Sequence, residues 1–210
     1  MLRIAGLLLS LGILSACAGA ADLNKPPTPL GDFRLGHNIV VAPKVVKGPV
    51  SRPASEEELT TAIKSAIADR FDRYEGDKLY HFGVSVEGYV LARPGVPIVL
   101  SPKSVLVIRL TVWDDAAGKK LNDKAKQITV LEQVSGETIV GSGLTQTAEV
   151  QLKNLSENVS KAIERYLVRQ QKDEGWFKPS PNAAAAPADA AAAPTELEKV
   201  VAASVAAVSD

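Results

Sequence analysis

The spacing of apolar residues changes period several times along this chain, and each change marks an element. Asn38 to Val46, "NIVVAPKVV", is rich in β-branched residues and is closed by Gly48-Pro49, which predicts a first strand. The period then lengthens. Leu59, Ala62, Ile63, Ala66, Ile67, Phe71 and Tyr74 recur at helical spacing behind Ser55 and Glu58, a capping-box pair in which serine oxygen and glutamate each take an orphan amide. The spacing predicts a helix from Glu56 to about Glu75, with Gly76 as a left-handed stop.

Strict alternation follows. Tyr80, Phe82, Val84 and Val86 share one face of a strand, as do Leu106, Ile108, Leu110 and Val112 of the next. "WDDAAGKKLND" reads as a polar hairpin loop into a strand from Lys126 to Val134, and Ser135-Gly136 as a tight turn into Glu137 to Gly143. A second helix begins at about Thr147, with Leu152, Leu155, Val159, Ala162, Ile163, Tyr166 and Leu167 as its apolar stripe. The order is β-α-β-β-β-β-α. Amphipathic helices with one apolar side each, beside strands joined by short turns, are satisfied when both cover one face of one sheet. The expected fold class is α+β, a two-layer sandwich of a mainly antiparallel sheet and two helices, over residues 33–177.

The two ends of the chain are of other kinds. Met1-Leu2-Arg3 leads into an apolar run from Ile4 to Leu14 and then small Ser15 and Ala16, the layout of an export signal. That run is shorter than the roughly 20 residues a helix needs to cross a hydrocarbon core. Residues 18–32 contain Pro26, Pro27 and Pro29, and proline's fixed φ predicts a semi-rigid tether holding the domain off the lipid surface, without a site of its own. Residues 178–194, "KPSPNAAAAPADAAAAP", lack large apolar side chains and are expected to stay a disordered linker. Beyond it, Leu197, Val200, Val201 and Val205 fall near one helical face behind Thr195 and Glu198, so residues 195–210 read either as a short docking helix or as a tail with chance periodicity.

Charge and composition narrow the function. Lys and Arg equal Asp and Glu at 24 each, and no basic stripe interleaved with aromatics is present, so nucleic acid is not an expected partner. Cys17 is the only cysteine among 210 residues, so an internal disulfide is impossible. His37 and His81 lie in different elements, without HExxH spacing or a spare cysteine, and neither a metal nor another cofactor is expected. Ser142 in Gly141-Ser142-Gly143 lacks the outer glycine spacing of a nucleophile elbow. Asp114, Asp115 and Asp123 lack the carboxylate ladder of a calcium loop. No catalytic constellation emerges, and the chain is not expected to be an enzyme. "RPGVPIVLSPKS", Arg93 to Ser104, does stand out. It brackets Val96, Ile98, Val99 and Leu100 between prolines, either as an edge strand folded under the domain or as an exposed interaction loop.

Leu14-Ser15-Ala16-Cys17 resembles the lipobox of bacterial lipoproteins at every position. The resemblance implies removal of residues 1–16 and acylation, with palmitate-like chains, of the Cys17 thiol and its new amino group. Two or three acyl chains, at roughly 0.8 kcal/mol per buried methylene, make a lasting membrane anchor. Ala18 after the cysteine, where aspartate favours the inner membrane in some bacteria, implies an outer-membrane anchor facing the periplasm. The element order with lipobox and proline-containing tether is also similar to small envelope-assembly and transport-auxiliary lipoproteins, without a diagnostic motif inside the domain. The reading that follows is a non-catalytic, membrane-anchored binding or assembly subunit of an envelope complex, its protein partner and oligomeric state open. The alternative is a lipid- or glycan-binding carrier of an envelope transport system.

Overall fold

A computed structural model describes residues 22–93, 104–132 and 146–178 of the chain. The chain divides into two units, Met1–Lys178 and Pro179–Asp210, and the second lies outside the described residues. Helix α1 runs Glu56–Phe71 behind the expected capping box. Ser55 Oγ accepts from the Glu58 amide at 3.2 Å while Glu58 Oε2 accepts from the Ser55 amide at 2.6 Å. The helix stops earlier than predicted, at Asp72 in right-handed conformation, and Gly76 is not its cap. Gly76 is a crossing point instead, because a Cβ there would lie 2.3 Å from the Phe33 backbone nitrogen. Helix α2, Ala148–Glu174, starts on Thr147 as a side-chain cap and ends at Gly175, whose φ of 67° is left-handed.

Among the described residues the strands are β1 Arg34–Val41, β2 Val46–Lys47, β3 Leu79–Val90, β4 Val105–Asp114, β5 Lys119–Lys120 and β6 Lys126–Leu131, forming one six-stranded sheet. The first predicted strand is displaced. It begins four residues before Asn38, at Arg34, and breaks around Pro43, which has no amide proton for the ladder. β1 connects to β3 through α1 and pairs with it in parallel, as a strand-helix-strand crossover requires. β2 also pairs in parallel with β3, while β3 with β4 and β4 with β5 and β6 are antiparallel. The sheet is therefore mixed, with its longest ladder antiparallel. The predicted strand from Glu137 to Gly143 lies outside the described residues.

Both helices cover one face. Leu59, Ile63 and Ile67 of α1 and Leu155, Val159 and Ile163 of α2 are buried with Phe82, Val84, Ile108 and Leu110 of the sheet. Each such burial contributes about 1.5–3 kcal/mol. At one end of the core, the fully buried Phe33 ring lies 5.1 Å from Phe177, 5.5 Å from Tyr74 and 5.5 Å from Tyr80. Between β5 and β6 the buried Asn122 takes the place of a strand residue. Its Oδ1 accepts from the Val112 amide at 2.8 Å and its Nδ2 donates to the Leu110 and Lys124 carbonyls.

Candidate functional site

The sequence places chemistry in the apolar stripe of α1 where it does not belong. Arg70 follows Ile67 by three residues and precedes Tyr74 by four, so the stripe aims a guanidinium inward, and its side chain is 2% exposed. A buried charge needs partners. Opposite it on α2, Ser160 and Glu164 stand one helical turn apart. Arg70 Nε donates to Ser160 Oγ at 3.1 Å and Arg70 Nη1 to Glu164 Oε2 at 3.0 Å. The remaining donors reach out of the helix pair to Asp22, Nη1 to Oδ2 at 2.9 Å and Nη2 to Oδ1 at 3.2 Å, a bidentate grip. Lys161 Nζ adds a bridge to Asp22 Oδ1 at 3.2 Å.

The segment after Asp22 is held as well. Arg73 donates to the Leu23 carbonyl and, at 3.0 Å, to that of Lys25. The Tyr74 hydroxyl lies 2.8 Å from the Thr28 carbonyl oxygen and 2.9 Å from Glu164 Oε1, and its single proton serves one of them. Leu30 is buried in the core, and Asp32 Oδ1 accepts from the amides of Asp77 and Lys78. From Asp22 onward the expected semi-rigid tether is thus packed on the domain, because polar partners on α1, α2 and the turn after α1 outweigh the extended preference of Pro26, Pro27 and Pro29.

Electrostatics follow this geometry. Burial alone would raise the Asp22 carboxyl, but hydrogen bonds and charge from Arg70 and Lys161 win and hold it at about 2. Burial and the Glu164 charge push the Tyr74 phenol above its ordinary range. Glu157, on the same helix as Glu164, is raised by burial, against the partial relief of Lys153, Lys161 and Arg70.

A groove of about 300 Å³ opens at the other end of the helix pair, between the first turns of α1 and α2. Pro53, Ala62, Leu91 and Leu152 form apolar walls, and Glu149 and Lys153 stand among the lining residues. Its floor is braced by the Tyr89 hydroxyl, which accepts from the Ala54 amide and donates to the Ala54 carbonyl. On the opposite face of the sheet, His37 and His81 come together at 4.7 Å between ring centroids, although they belong to different strands. His81 Nδ1 accepts from the His37 amide at 2.8 Å, so its neutral ring carries the proton on Nε2, 3.0 Å from Asp115 Oδ1. Among the described residues no group of three or more His, Cys, Asp or Glu could hold a metal ion, and no helix is long and apolar enough to cross a membrane.

Cys17, the loop residues Val96, Ile98, Val99 and Leu100, and the helix residues Leu197, Val200, Val201 and Val205 all lie outside the described residues. The loop's flanks are described. The Ala92 amide donates to Ser104 Oγ at 3.2 Å, which ties the start of the segment to its end. The Asp22, Arg70 and Glu164 cluster was missed by periodicity. Its readable signal was an arginine inside an apolar stripe, matched by serine and glutamate four apart on the second helix.

No family model matches the chain, and no curated protein matches it. Solved structures do resemble it. A candidate lipoprotein of Caulobacter crescentus is 10% identical with a TM-score of 0.36, the match covering 61% of this chain and 91% of that one. A Xanthomonas campestris protein of the DUF330 family is 10% identical with a TM-score of 0.35, covering 71% and 94%. A minor lipoprotein of Acinetobacter baumannii is 17% identical with a TM-score of 0.26, covering 61% and 93%. Likeness at this level carries no role over to the present chain.

Proposed function

We propose that the chain is a bacterial lipoprotein, acylated at Cys17 and anchored in the outer membrane facing the periplasm, whose α+β domain acts as a non-catalytic binding or assembly subunit of an envelope complex. The observation that carries this reading is Leu14-Ser15-Ala16-Cys17, placed directly after an apolar run too short to span a bilayer. The domain is compatible with a scaffold, because its core is filled by interlocking aromatic and aliphatic side chains. Metabolic labelling with a palmitate analogue tests the anchor. The wild-type chain is expected to incorporate label and fractionate with membranes, and Cys17→Ser to do neither; a labelled Cys17→Ser chain, or an unlabelled wild type, would overturn the reading. Crosslinking in the intact envelope is expected to return a specific protein complex, and recovery of the free monomer alone counts against a subunit role.

One observation favours the carrier alternative. The apolar groove beside Leu91 and Leu152 has a volume at the lower end of ligand pockets, enough for part of an acyl chain or one sugar and too small for a whole lipid. Native mass spectrometry of the isolated protein separates the two, since a carrier retains bound lipid or glycan and a scaffold does not.

A further inference from the structure

Asp22 lies five positions after Cys17, and five Cα-to-Cα steps reach at most about 18 Å when fully extended. Asp22 itself is fixed. Arg70 and Lys161 hold its carboxylate, and Arg73 holds the backbone at Leu23 and Lys25. The attachment point therefore lies on the helix layer, where α1 and α2 meet, and moves as one body with it.

On the opposite side of the domain neither helix covers the sheet among the described residues. That face carries Ile39, 59% exposed, along with Val41 and Trp113. A helix with its side chains is about 10–12 Å across, and stacked on a sheet it makes the domain about as thick as the leash is long. A leash of that length cannot pass around the domain to bring its far side to the anchor.

We infer that the lipid bilayer surface is itself the partner of the helix-layer face around Asp22, with the open sheet face turned to the aqueous compartment. This inference rests on acylation of Cys17 and adds an orientation to it. Charge around the clamp is mixed, with Lys25 and Lys161 near Asp69 and Asp72, so the acyl chains supply the attraction and the clamp supplies the direction.

The test uses the full chain, processed in a bacterial host, with a photocrosslinking residue at one of two positions. Arg165 is exposed one turn beyond Lys161 on α2, and Ile39 is exposed on the sheet face. Irradiation is expected to give lipid adducts at position 165 and none at 39. Inserting a flexible glycine-serine segment of about 20 residues between Ala21 and Asp22, with an average span near 25 Å, keeps the clamp and lengthens the leash. The contrast between the two positions is then expected to disappear while the protein stays with the membrane. Equal adducts at both positions in the unmodified chain, or adducts at neither, with palmitate incorporated and the protein membrane-bound, would overturn the orientation and leave the lipoprotein reading standing. A chain that takes up no palmitate and stays soluble overturns both.

Discussion

Arg70 and Asp22, separated by 48 positions in the chain, meet through paired hydrogen bonds of 2.9 and 3.2 Å, with the guanidinium buried and the carboxylate partly open to water. The asymmetry sets what each substitution does. Arg70→Met removes the hub from Asp22, Glu164 and Ser160 at once and leaves Glu164 largely buried without its charge partner, which is expected to cost about 3–5 kcal/mol in chemical denaturation. Asp22→Ala leaves the Arg70–Glu164 pair intact and is expected to cost only about 1 kcal/mol. Its signature is local, a faster proteolytic cleavage between residues 22 and 30 with little change in the unfolding midpoint.

The pH response has two opposed parts. Asp22 sits at about 2 in the folded chain against an ordinary 3.8, so the stability it contributes is complete above the higher value and is lost as pH falls from there toward 2. Glu157 has the opposite sign. Its folded carboxyl lies above the ordinary 4.5, so its ionised form is penalised in the folded state at neutral pH, and stability rises as pH falls through its raised value toward 4.5. Glu157→Gln is expected to stabilise the protein at pH 7 by about 1 kcal/mol and to remove the rise on mild acidification. Asp22→Asn is expected to flatten the fall between pH 4 and 2. Denaturation midpoints across pH for the three proteins check both signs.

Asn122 gives a sharper test of the hairpin between β4 and β6. Asn122→Ala leaves the buried Val112 amide and Leu110 carbonyl without their partner and is expected to cost about 2–3 kcal/mol. Asn122→Asp keeps the acceptor for Val112 but sets a carboxylate oxygen against the Leu110 and Lys124 carbonyls, so it is expected to destabilise at pH 7 at least as much. Rescue by aspartate would show that only the Val112 bond matters.

Two glycines separate crowding from simple chain freedom. Gly76→Ala drives a methyl group into the Phe33 backbone, which cannot turn aside as a side chain does, and is expected to cost about 2–3 kcal/mol. Gly83→Ala on β3 meets nothing closer than Thr111 Cβ at 3.9 Å and is expected to stabilise by about 0.5–1 kcal/mol, since it only restricts the unfolded chain. Thermal unfolding of the pair reads both signs in one experiment.

Elements set by local rules were legible in the sequence. Ser55 with Glu58 and Thr147 before Ala148 fixed the starts of the helices, and alternation through Tyr80 to Val86 and Leu106 to Val112 identified the central ladder. Alternation does not carry strand direction, so the parallel pairing of β1 with β3 appeared only when α1 was seen to cross between them. The His37 and His81 contact depends on the register irregularity between Leu35 and Asn38, which no local pattern encodes. The clamp at Asp22 escaped for a related reason. Prolines dominate the reading of that segment, whereas its conformation is decided by two arginines far along the chain.

Phe177, near the end of the described residues, closes on Phe33, near their start, at 5.1 Å. A chain synthesised amino end first presents Phe33 early and must wait for Phe177, so its aromatic seal stays open until nearly the whole domain has emerged from the ribosome. A nascent chain arrested before Gly175 should therefore remain sensitive to protease even though all the described strands have already been made.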